Sequence, residues 1–426
     1  MKRLLLGTAV WLLAGSVHAQ TISILMESVP DTRFVQEVVP EFEQQTGIEV
    51  EIEVVNYAEM HTKLVPQLVA PTGSYDVIVV DFYWVGEFTQ AGWLQPLDER
   101  IEADGFDTSV YFDSLMNLVG QVDGVTYMLP FYNYAMGLTY REDLVSDPQE
   151  QQAFKDKYGI ELRVPETWDE YMEQVEFFTR DTDGDGQTDF YGVVNQGLRP
   201  DPIAMEWSNY LYANGGQYYQ EGDWQPTLDT PEAAKALEDY RTNLSKYGPP
   251  GAASFGFDEA FNVAAQGKAY SYITYNMFRT AYDDPSQSAV VGKMEIAAVP
   301  NGGLNGAWGW AIPKSSPDPE AAWTFLRWIE SPEIAKQRAL LGGSPTRVDV
   351  FEDPELLAKY EYYPALRHLL ETSRNFPVFT YTPQFVEVLG RELSLAVTGE
   401  KEPQSALATI NEEFAALLRK DDKLKD

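Results

Sequence analysis

The nonapeptide from Asp181 to Asp189, DTDGDGQTD, has the residue types and spacing of a calcium-binding loop. In an EF-hand loop, oxygen ligands come from positions 1, 3, 5, 7 and 9, and a glycine at position 6 allows the sharp turn. Position 12 is Gly192 instead of the bidentate glutamate of that pattern. Two interpretations stay open, a structural Ca²⁺ site and a solvated acidic turn; no cofactor is otherwise required. The predicted metal-binding residues are Asp181, Asp183, Asp185, Gln187 and Asp189.

A second set of side chains suits the binding of a hydroxyl-rich small molecule. Glu27 and Asp81 directly follow predicted strands, and α/β folds bind ligands in loops at the carboxyl ends of parallel strands. Aromatic rings can stack on the apolar faces of sugars, while carboxylates accept hydrogen bonds from hydroxyl groups. The chain contains 25 Tyr, 21 Phe and 10 Trp. The aromatic candidates, which stand beside glycine or polar residues, are Trp84, Tyr132, Tyr134, Trp308 and Trp310.

Residues for covalent or metal-based catalysis are scarce. The chain has no cysteine, and its histidines beyond residue 20 are His61 and His368, far apart in sequence. No nucleophile elbow, zinc-binding helix or phosphate-binding loop pattern occurs. Two carboxylates could serve a secreted glycoside hydrolase, but 66 acidic residues offer no means of selecting the pair. The sequence therefore favours a binding protein over an enzyme, with the hydrolase as the alternative.

The segments that must position these side chains alternate between strand and helix. Residues 21–26 predict a strand, apolar residues over 34–42 recur at helical spacing, and residues 48–54 alternate apolar and acidic side chains. Residues 75–81 are almost continuously apolar, as expected of a strand buried on both faces. This order predicts a parallel α/β sheet. Because single cores rarely exceed about 250–300 residues, we expect two lobes.

Composition and the first residues predict an exported, acidic protein. Residues 1–19 have the positive start, apolar middle and small-residue cleavage site of a signal peptide. The absence of cysteine removes a lipid attachment point, so we expect a freely diffusing periplasmic protein. The net charge of −35 repels phosphate backbones, which argues against nucleic acid as a partner.

Several segments, in order, resemble the family 1 extracellular solute-binding proteins, which include the maltose- and trehalose/maltose-binding proteins. The resembling segments are YDVIVVDFYWVGEFTQAGWLQPL (75–97), LPFYNYAMGLTYREDL (129–144), VPETWDE (164–170), WGWAIPKS (308–315), the helix from Pro319, and GSPTR (343–347). The resemblance implies an α/β fold of the type II periplasmic binding proteins: two lobes with mixed, mainly parallel sheets flanked by helices, joined by a hinge. It implies that lobe I comprises residues 20–130 and 284–315, and lobe II residues 131–283 and 316–426.

The resemblance also implies ligand-binding positions. Glu27 and Asp81 are similar to the acids after the first and third strands, and Tyr132, Trp308 and Arg347 match the hinge aromatic, the stacking aromatic and the arginine of a P-x-R segment. Two departures concern Tyr134, where the trehalose/maltose binders have aspartate, and the segment around Asn276, where they have Asn-Trp-Pro. The predicted ligand-binding residues are Glu27, Asp81, Trp84, Tyr132, Tyr134, Asn276, Trp308, Trp310 and Arg347.

The function that the resemblance implies is capture without chemistry. A monomer would bind a carbohydrate, polyol or glycoside between its lobes and deliver it to the membrane permease subunits of an ABC importer. A ligand-sensing subunit for a chemoreceptor is an alternative with the same binding site.

Overall fold

The computed structural model describes residues 20–425, which form two main β-sheets and a short hairpin, with helices around them. The predicted signal peptide, residues 1–19, lies outside the described residues. The strands are β1 (Gln20–Glu27), β2 (Ile48–Val55), β3 (Val77–Asp81), β4 (Gln121–Val122), β5 (Val125–Thr126), β6 (Met128–Asn133), β7 (Met136–Arg141), β8 (Tyr191–Val194), β9 (Ala269–Tyr275), β10 (Met294–Ala297) and β11 (Ala307–Ala311).

Helices supply the rest of the regular structure and cover both sheets. A 3₁₀ turn (Phe82–Trp84) directly follows β3. The α-helices are α1 (Pro30–Thr46), α2 (Tyr57–Val69), α3 (Val85–Gln90), α4 (Asp98–Asp104), α5 (Asp113–Leu115), α6 (Glu142–Val145), α7 (Pro148–Tyr158), α8 (Trp168–Phe178), α9 (Asp201–Ala213), α10 (Pro231–Thr242), α11 (Phe257–Ala265), α12 (Phe278–Ala281), α13 (Pro319–Ile329), α14 (Pro332–Leu341), α15 (Val348–Phe351), α16 (Pro354–Lys359), α17 (Tyr363–Thr372), α18 (Thr382–Val397) and α19 (Pro403–Lys420).

The first sheet has the order β2-β1-β3-β11-β6, and within it only β11 runs against the other strands. Every residue of β3 is buried, as its apolar run predicts. On the edge strand β2 the glutamates at 49, 51 and 53 are exposed, which matches the alternation in the sequence. Because β1 and β3 are parallel neighbours, Glu27 and Asp81 end at the same edge of the sheet.

The second sheet has the order β10-β7-β9-β8, and within it only β7 runs against the others. All seven residues of β9 are buried, and its last residue, Tyr275, pairs with Met136 at the start of β7. Both sheets are therefore mixed with mostly parallel strand directions, which confirms the predicted fold class.

Two chain segments that link the sheets run side by side. Residues 134–135 connect β6 to β7, and residues 298–306 connect β10 to β11. The backbone N–H of Tyr134 donates to the Gly306 carbonyl at 2.6 Å, and that of Met136 donates to Leu304 at 2.7 Å. A Cβ on Gly306 would lie 2.8 Å from the Tyr134 carbonyl, so this close approach requires glycine. These paired links form the hinge region.

The predicted lobe boundaries are wrong at two segments. Strand β10, placed in lobe I by the range 284–315, pairs with β7 in the second sheet. Helices α13 and α14, placed in lobe II by the range 316–426, pack on α1, and α13 also contacts β1. The apolar side of α13 meets the first sheet's helix layer, where Phe325 contacts the ring of Phe42 edge-on at 5.3 Å. The chain therefore returns to the second sheet only after α14, where α17 packs on β10, α18 on α9 and α19 on α10.

Among residues 20–425, no helix combines the length and the apolar character that crossing a bilayer would require.

Candidate functional site

A cavity of about 470 Å³ lies between the two sheets and is called the cleft below. The first sheet contributes residues at or just beyond the carboxyl ends of its parallel strands, which is where α/β sheets bind ligands. The second sheet contributes the end of β9 and helices α9 and α11. The residues that line the cleft include Glu27, Tyr57, Asp81, Tyr134, Met205, Phe257, Asp258, Glu259, Tyr275, Phe278 and Trp308.

Three carboxylates in and beside the cleft are each held by a tyrosine hydroxyl. Tyr132 donates to Glu27 Oε2 at 2.7 Å, and Tyr57 donates to Asp81 Oδ2 at 2.8 Å. Tyr134 donates to Asp31 Oδ2 at 2.8 Å, and the backbone N–H of Ser344 donates to Asp31 Oδ1. These bonds fix the orientation of each carboxylate before any ligand arrives.

Asp81 keeps one oxygen without a partner. Its side chain is 2% exposed, and Oδ1 accepts no hydrogen bond although Oδ2 is bound by Tyr57. A buried polar atom left unpaired costs free energy, and a donor on a bound ligand would offset that cost. Asp81 is therefore the strongest candidate for direct contact with a ligand.

Aromatic rings surround this carboxylate. Trp308 pairs with Asp81 across the β11–β3 ladder, and the ring of Tyr57 lies 5.9 Å from that of Trp308. Trp84 lies behind both, stacked on Tyr57 at 5.7 Å with an interplanar angle of 10° and packed edge-on against Trp308 at 5.5 Å. Because Trp84 fills the space behind them, Tyr57 and Trp308 have fixed ring orientations.

The second sheet supplies an apolar side with two acids at its margin. The rings of Phe257 and Tyr275 stack at 5.4 Å, and Phe278 continues the stack beyond Phe257 at 6.4 Å. Asp258 and Glu259 stand in the first turn of α11, and Glu259 accepts from the backbone N–H of Gly256 at 3.0 Å. A ligand in the cleft would thus meet rings from both sheets.

Burial shifts the ionisation of the acids toward the neutral form. The pKa of Glu27 is raised to about 7: burial is the main cause, the Tyr132 hydrogen bond lowers the pKa, and the charge of Asp31 adds to the rise. Burial also raises the pKa of Asp81 well above its ordinary value; the Tyr57 hydrogen bond opposes this, and the charges of Glu27 and Asp201 add to it. The pKa of Asp201 itself is raised by burial to about 6. Mutually repelling acids therefore crowd one end of the cleft.

We expect the ligand-free protein to lose stability as pH rises from 5 to 8. The folded-state pKa of Glu27 is raised from 4.5 to about 7, so its stabilising contribution is complete below pH 4.5 and is lost as pH rises through 7. The loss for this group is about 3 kcal/mol in the free energy of unfolding. Glu206, buried and raised to about 8, acts in the same direction.

Urea unfolding at pH 5.0, 6.5 and 8.0 measures this dependence. Glu27→Gln, uncharged at every pH, should reduce the slope relative to wild type. A wild-type free energy of unfolding that increases over this range would contradict the raised pKa values.

The structure brings part of the predicted ligand set together. Glu27, Asp81, Tyr134 and Trp308 line the cleft. Trp84 and Tyr132 stand one layer behind, where they support Trp308 and Glu27.

Asn276, also in the predicted ligand set, lies beside the hinge region, where its backbone N–H donates to the Ala135 carbonyl. Its Nδ2 donates to Asn133 Oδ1 at 2.8 Å, while its own Oδ1 has no partner. Asn133 in turn donates to the Pro345 carbonyl, so Asn276 joins crossing segments and borders a neighbouring cavity.

Two predicted ligand residues lie away from the cleft. Trp310 is fully buried, pairs with Val79 further along β3, and donates its indole N–H to Glu330 at 3.0 Å. Arg347 donates to both carboxylate oxygens of Asp349 and to the Glu330 carbonyl. Both side chains use their polar groups in contacts within the protein, and their predicted role in ligand binding stays a prediction.

Four residues that line the cleft are absent from the predicted ligand-binding set: Tyr57, Phe257, Tyr275 and Phe278. For Tyr57 a signal existed, because it follows the end of β2 just as Glu27 and Asp81 end their own strands. Phe257 and Phe278 come from helices of the second sheet, and their meeting with Trp308 depends on how the two sheets are placed. No local pattern in the sequence encodes that placement.

The acidic loop separates into two parts in the structure. Carboxylate oxygens of Asp181, Asp183 and Asp185 lie within 4.8 Å of one another, as hard oxygen ligands of Ca²⁺ must. Asp189 instead accepts from the backbone N–H and hydroxyl of Thr182, at 2.8 and 2.7 Å. Gln187 donates its backbone N–H to Asp185 and is not part of the group of three. Calcium binding stays a prediction, which calorimetric titration of Ca²⁺ into chelator-treated protein would test; no heat of binding at millimolar Ca²⁺ would contradict it.

Comparisons with known proteins agree with this architecture. The model of the bacterial extracellular solute-binding proteins matches residues 27–336. A mannitol-binding protein of Pseudomonas aeruginosa is 26% identical over 388 residues, 85% of this chain and 84% of that protein. A probable amino-acid ABC transporter periplasmic-binding protein of Sinorhizobium fredii is 24% identical over 391 residues, 90% of this chain and 86% of the relative. A solute-binding protein of Agrobacterium radiobacter, crystallised with ribitol, is 28% identical with a TM-score of 0.79 and covers 93% of this chain and 98% of its own.

Proposed function

Because this chain belongs to the bacterial extracellular solute-binding proteins and has their type II fold, we propose that it captures a sugar or sugar alcohol in the cleft for an ABC importer. The ligand is released unchanged to membrane permease subunits, and the protein acts as a monomer in the periplasm. The observation that carries this proposal is the cleft itself, where the unpartnered oxygen of Asp81 lies beside the ring of Trp308 between two separate sheets.

The lining chemistry supports a hydroxyl-rich ligand. Glu27 and Asp81 are hydrogen-bond acceptors held in place by tyrosines, and Trp308 and Tyr57 offer rings on which an apolar carbon face can lie. A relative named for mannitol binding and a neighbour crystallised with ribitol point to the same class of ligand. The cleft volume of about 470 Å³ suits a small ligand of this kind.

An ordinary amino acid fits this cleft less well, although one relative is described as an amino-acid binder. An α-carboxylate needs cationic or multiple N–H donors, and the described residues that line the cleft include no lysine, arginine or histidine. Glu27, Asp81, Asp258 and Glu259 would instead repel it.

Capture requires that the ligand favour one arrangement of the two sheets. A ligand that contacts Asp81 on one sheet and Tyr275 on the other gains both contacts only when the cleft is closed. It therefore binds the closed form more tightly than the open form and shifts the population of molecules toward the closed form. The hinge region at residues 134–135 and 298–306 is where the backbone would bend.

A thermal-shift screen against sugars, sugar alcohols and amino acids tests the proposal. A ligand that binds only the folded protein increases the free energy of unfolding, by about 2.7 kcal/mol at a hundredfold excess over the dissociation constant. This stabilisation raises the melting temperature. We expect members of the sugar and polyol class to raise it and to be recovered unaltered. A panel without any such shift, or the appearance of hydrolysis products, would refute the proposal.

The transport role is tested separately from ligand binding. In proteoliposomes with the cognate permease, the loaded protein should stimulate ATP hydrolysis. Stimulation of a chemoreceptor without stimulation of the transporter would assign the protein to sensing instead.

A further inference from the structure

The charges that line the cleft are all of one sign. Four acids, Glu27, Asp81, Asp258 and Glu259, border it, and the described residues around it include no base. The excess of acidic residues in the chain accounts for the acids in the cleft, but it does not account for the absence of lysine, arginine and histidine from the described lining residues. Four other cavities in the described part of the chain each contain at least one, namely Arg374, Arg338 with Arg347, His368 and Arg33.

Aromatic rings in the cleft add to this one-sided charge distribution. Tyr57, Phe257, Tyr275, Phe278 and Trp308 line it, and the faces of such rings carry negative potential that attracts cations. Carboxylates and ring faces together, without a competing arginine or lysine, are chemically complementary to an ammonium group. A neutral sugar uses the hydrogen-bond acceptors but does not stabilise the ionised form of the buried acids, which burial disfavours.

The free oxygen of Asp81 supplies the specific contact. Oδ2 is occupied by the Tyr57 hydroxyl, whereas Oδ1 is buried and unpaired. Burial raises the pKa of Asp81, and the charges of Glu27 and Asp201 raise it further. The described lining residues supply no cation to stabilise its ionised form. A buried carboxylate is stabilised when it is paired with a cation that also donates hydrogen bonds. The rings of Tyr57 and Trp308 lie beside Asp81 and pack edge-on against each other, with centroids 5.9 Å apart.

We propose that the cleft selects a hydroxyl-rich ligand that carries a basic amine, an amino sugar or amino sugar alcohol, with its ammonium group on Asp81 Oδ1 among the acids and aromatic rings of the cleft. This inference rests on the proposed function, since it specifies which member of the sugar and polyol class is preferred. The hydroxyl groups bind the remaining acceptors, Glu27 among them.

Matched ligand pairs that differ only in the amine test the inference. The pairs are D-sorbitol with 1-amino-1-deoxy-D-sorbitol, D-glucose with D-glucosamine, and D-galactose with D-galactosamine, titrated calorimetrically at pH 7.0. Close charge pairs at interfaces contribute enough that we expect at least one amine to bind about 10-fold or more tightly than its hydroxyl partner. N-acetylation, which removes the charge, should abolish that preference.

Variants locate the effect at Asp81. In Asp81→Asn the ratio of amine to hydroxyl affinity should fall to near one, while Asp76→Asn, a buried aspartate at the other end of β3, should keep the wild-type ratio. If the neutral sugars and polyols of the matched pairs bound as tightly as their amine partners, or more tightly, the inference would be overturned and the proposed function would stay intact. If no sugar, polyol or amine raises the melting temperature, the proposed function fails as well.

Discussion

Asp81→Asn should weaken ligand binding about 10- to 150-fold while leaving the ligand-free protein at least as stable as wild type. A hydrogen bond to a charged group contributes about 1.5–3 kcal/mol, which sets the loss of affinity. The asparagine can still accept from Tyr57, but its amide places a donor where Asp81 Oδ1 was free to accept. Burial raises the pKa of Asp81, so removing the charge relieves repulsion from Glu27 and Asp201 in the empty cleft.

Asp76→Asn is the matched control. Asp76 is as buried as Asp81 and lies just before β3, yet its carboxylate accepts from the backbone N–H groups of Ser23 and Asp318 and from the Ser316 hydroxyl. We expect this variant to lose stability and keep its affinity, the reverse of Asp81→Asn. Calorimetry for affinity and urea unfolding for stability check both. An Asp81→Asn protein with wild-type affinity would show that this carboxylate does not contact the ligand.

Trp308→Ala and Trp310→Ala should differ in what they damage, although the two residues lie two positions apart on β11. Loss of Trp308 removes a ring that lines the cleft, and by analogy with base stacking on aromatic side chains we expect affinity to fall about 5- to 150-fold. Loss of Trp310 opens a void against Phe131 and Phe325 and leaves Glu330 without the indole donor. Its main effect should be about 3–5 kcal/mol of lost stability.

Both tryptophan variants remove buried area, so stability alone does not separate them. The separating measurement is the dissociation constant at a temperature where each variant remains folded, together with the urea midpoint. If Trp310→Ala lost affinity as severely as Trp308→Ala, the placement of Trp310 outside the cleft would be contradicted.

Much of the fold was accessible from local patterns. The alternation of residues 48–54 predicts an edge strand, and the apolar run of residues 75–81 predicts a strand buried on both faces; the structure has both as β2 and β3. These predictions succeed because side-chain periodicity reflects which face of one element is buried. The lobe boundaries could not be predicted in the same way. The sheet that α13 covers depends on the path of the chain, and the apolar periodicity of α13 is the same for either sheet.

The candidate site shows the same division residue by residue. Glu27 and Asp81 could be predicted because their position after a parallel strand places them at a common sheet edge. Trp308 and Trp310 have the same residue type in the same segment, and only their surroundings in the structure distinguish the ring that lines the cleft from the ring that packs away from it. Arg347 likewise could be assigned only once its hydrogen bonds to Asp349 and the Glu330 carbonyl were known.

The sequence by itself determined the α/β class and the acids and rings available for binding, because these follow from composition, periodicity and strand ends. The family was indicated separately, by the resemblance of several segments in order. The tertiary structure alone decided that rings and acids from two sheets line one cleft, and that the described lining residues include no basic side chain. The reason is that the distance between residues such as Asp81 and Tyr275 is set by how two sheets pack across a hinge, and that packing is a property of the whole chain.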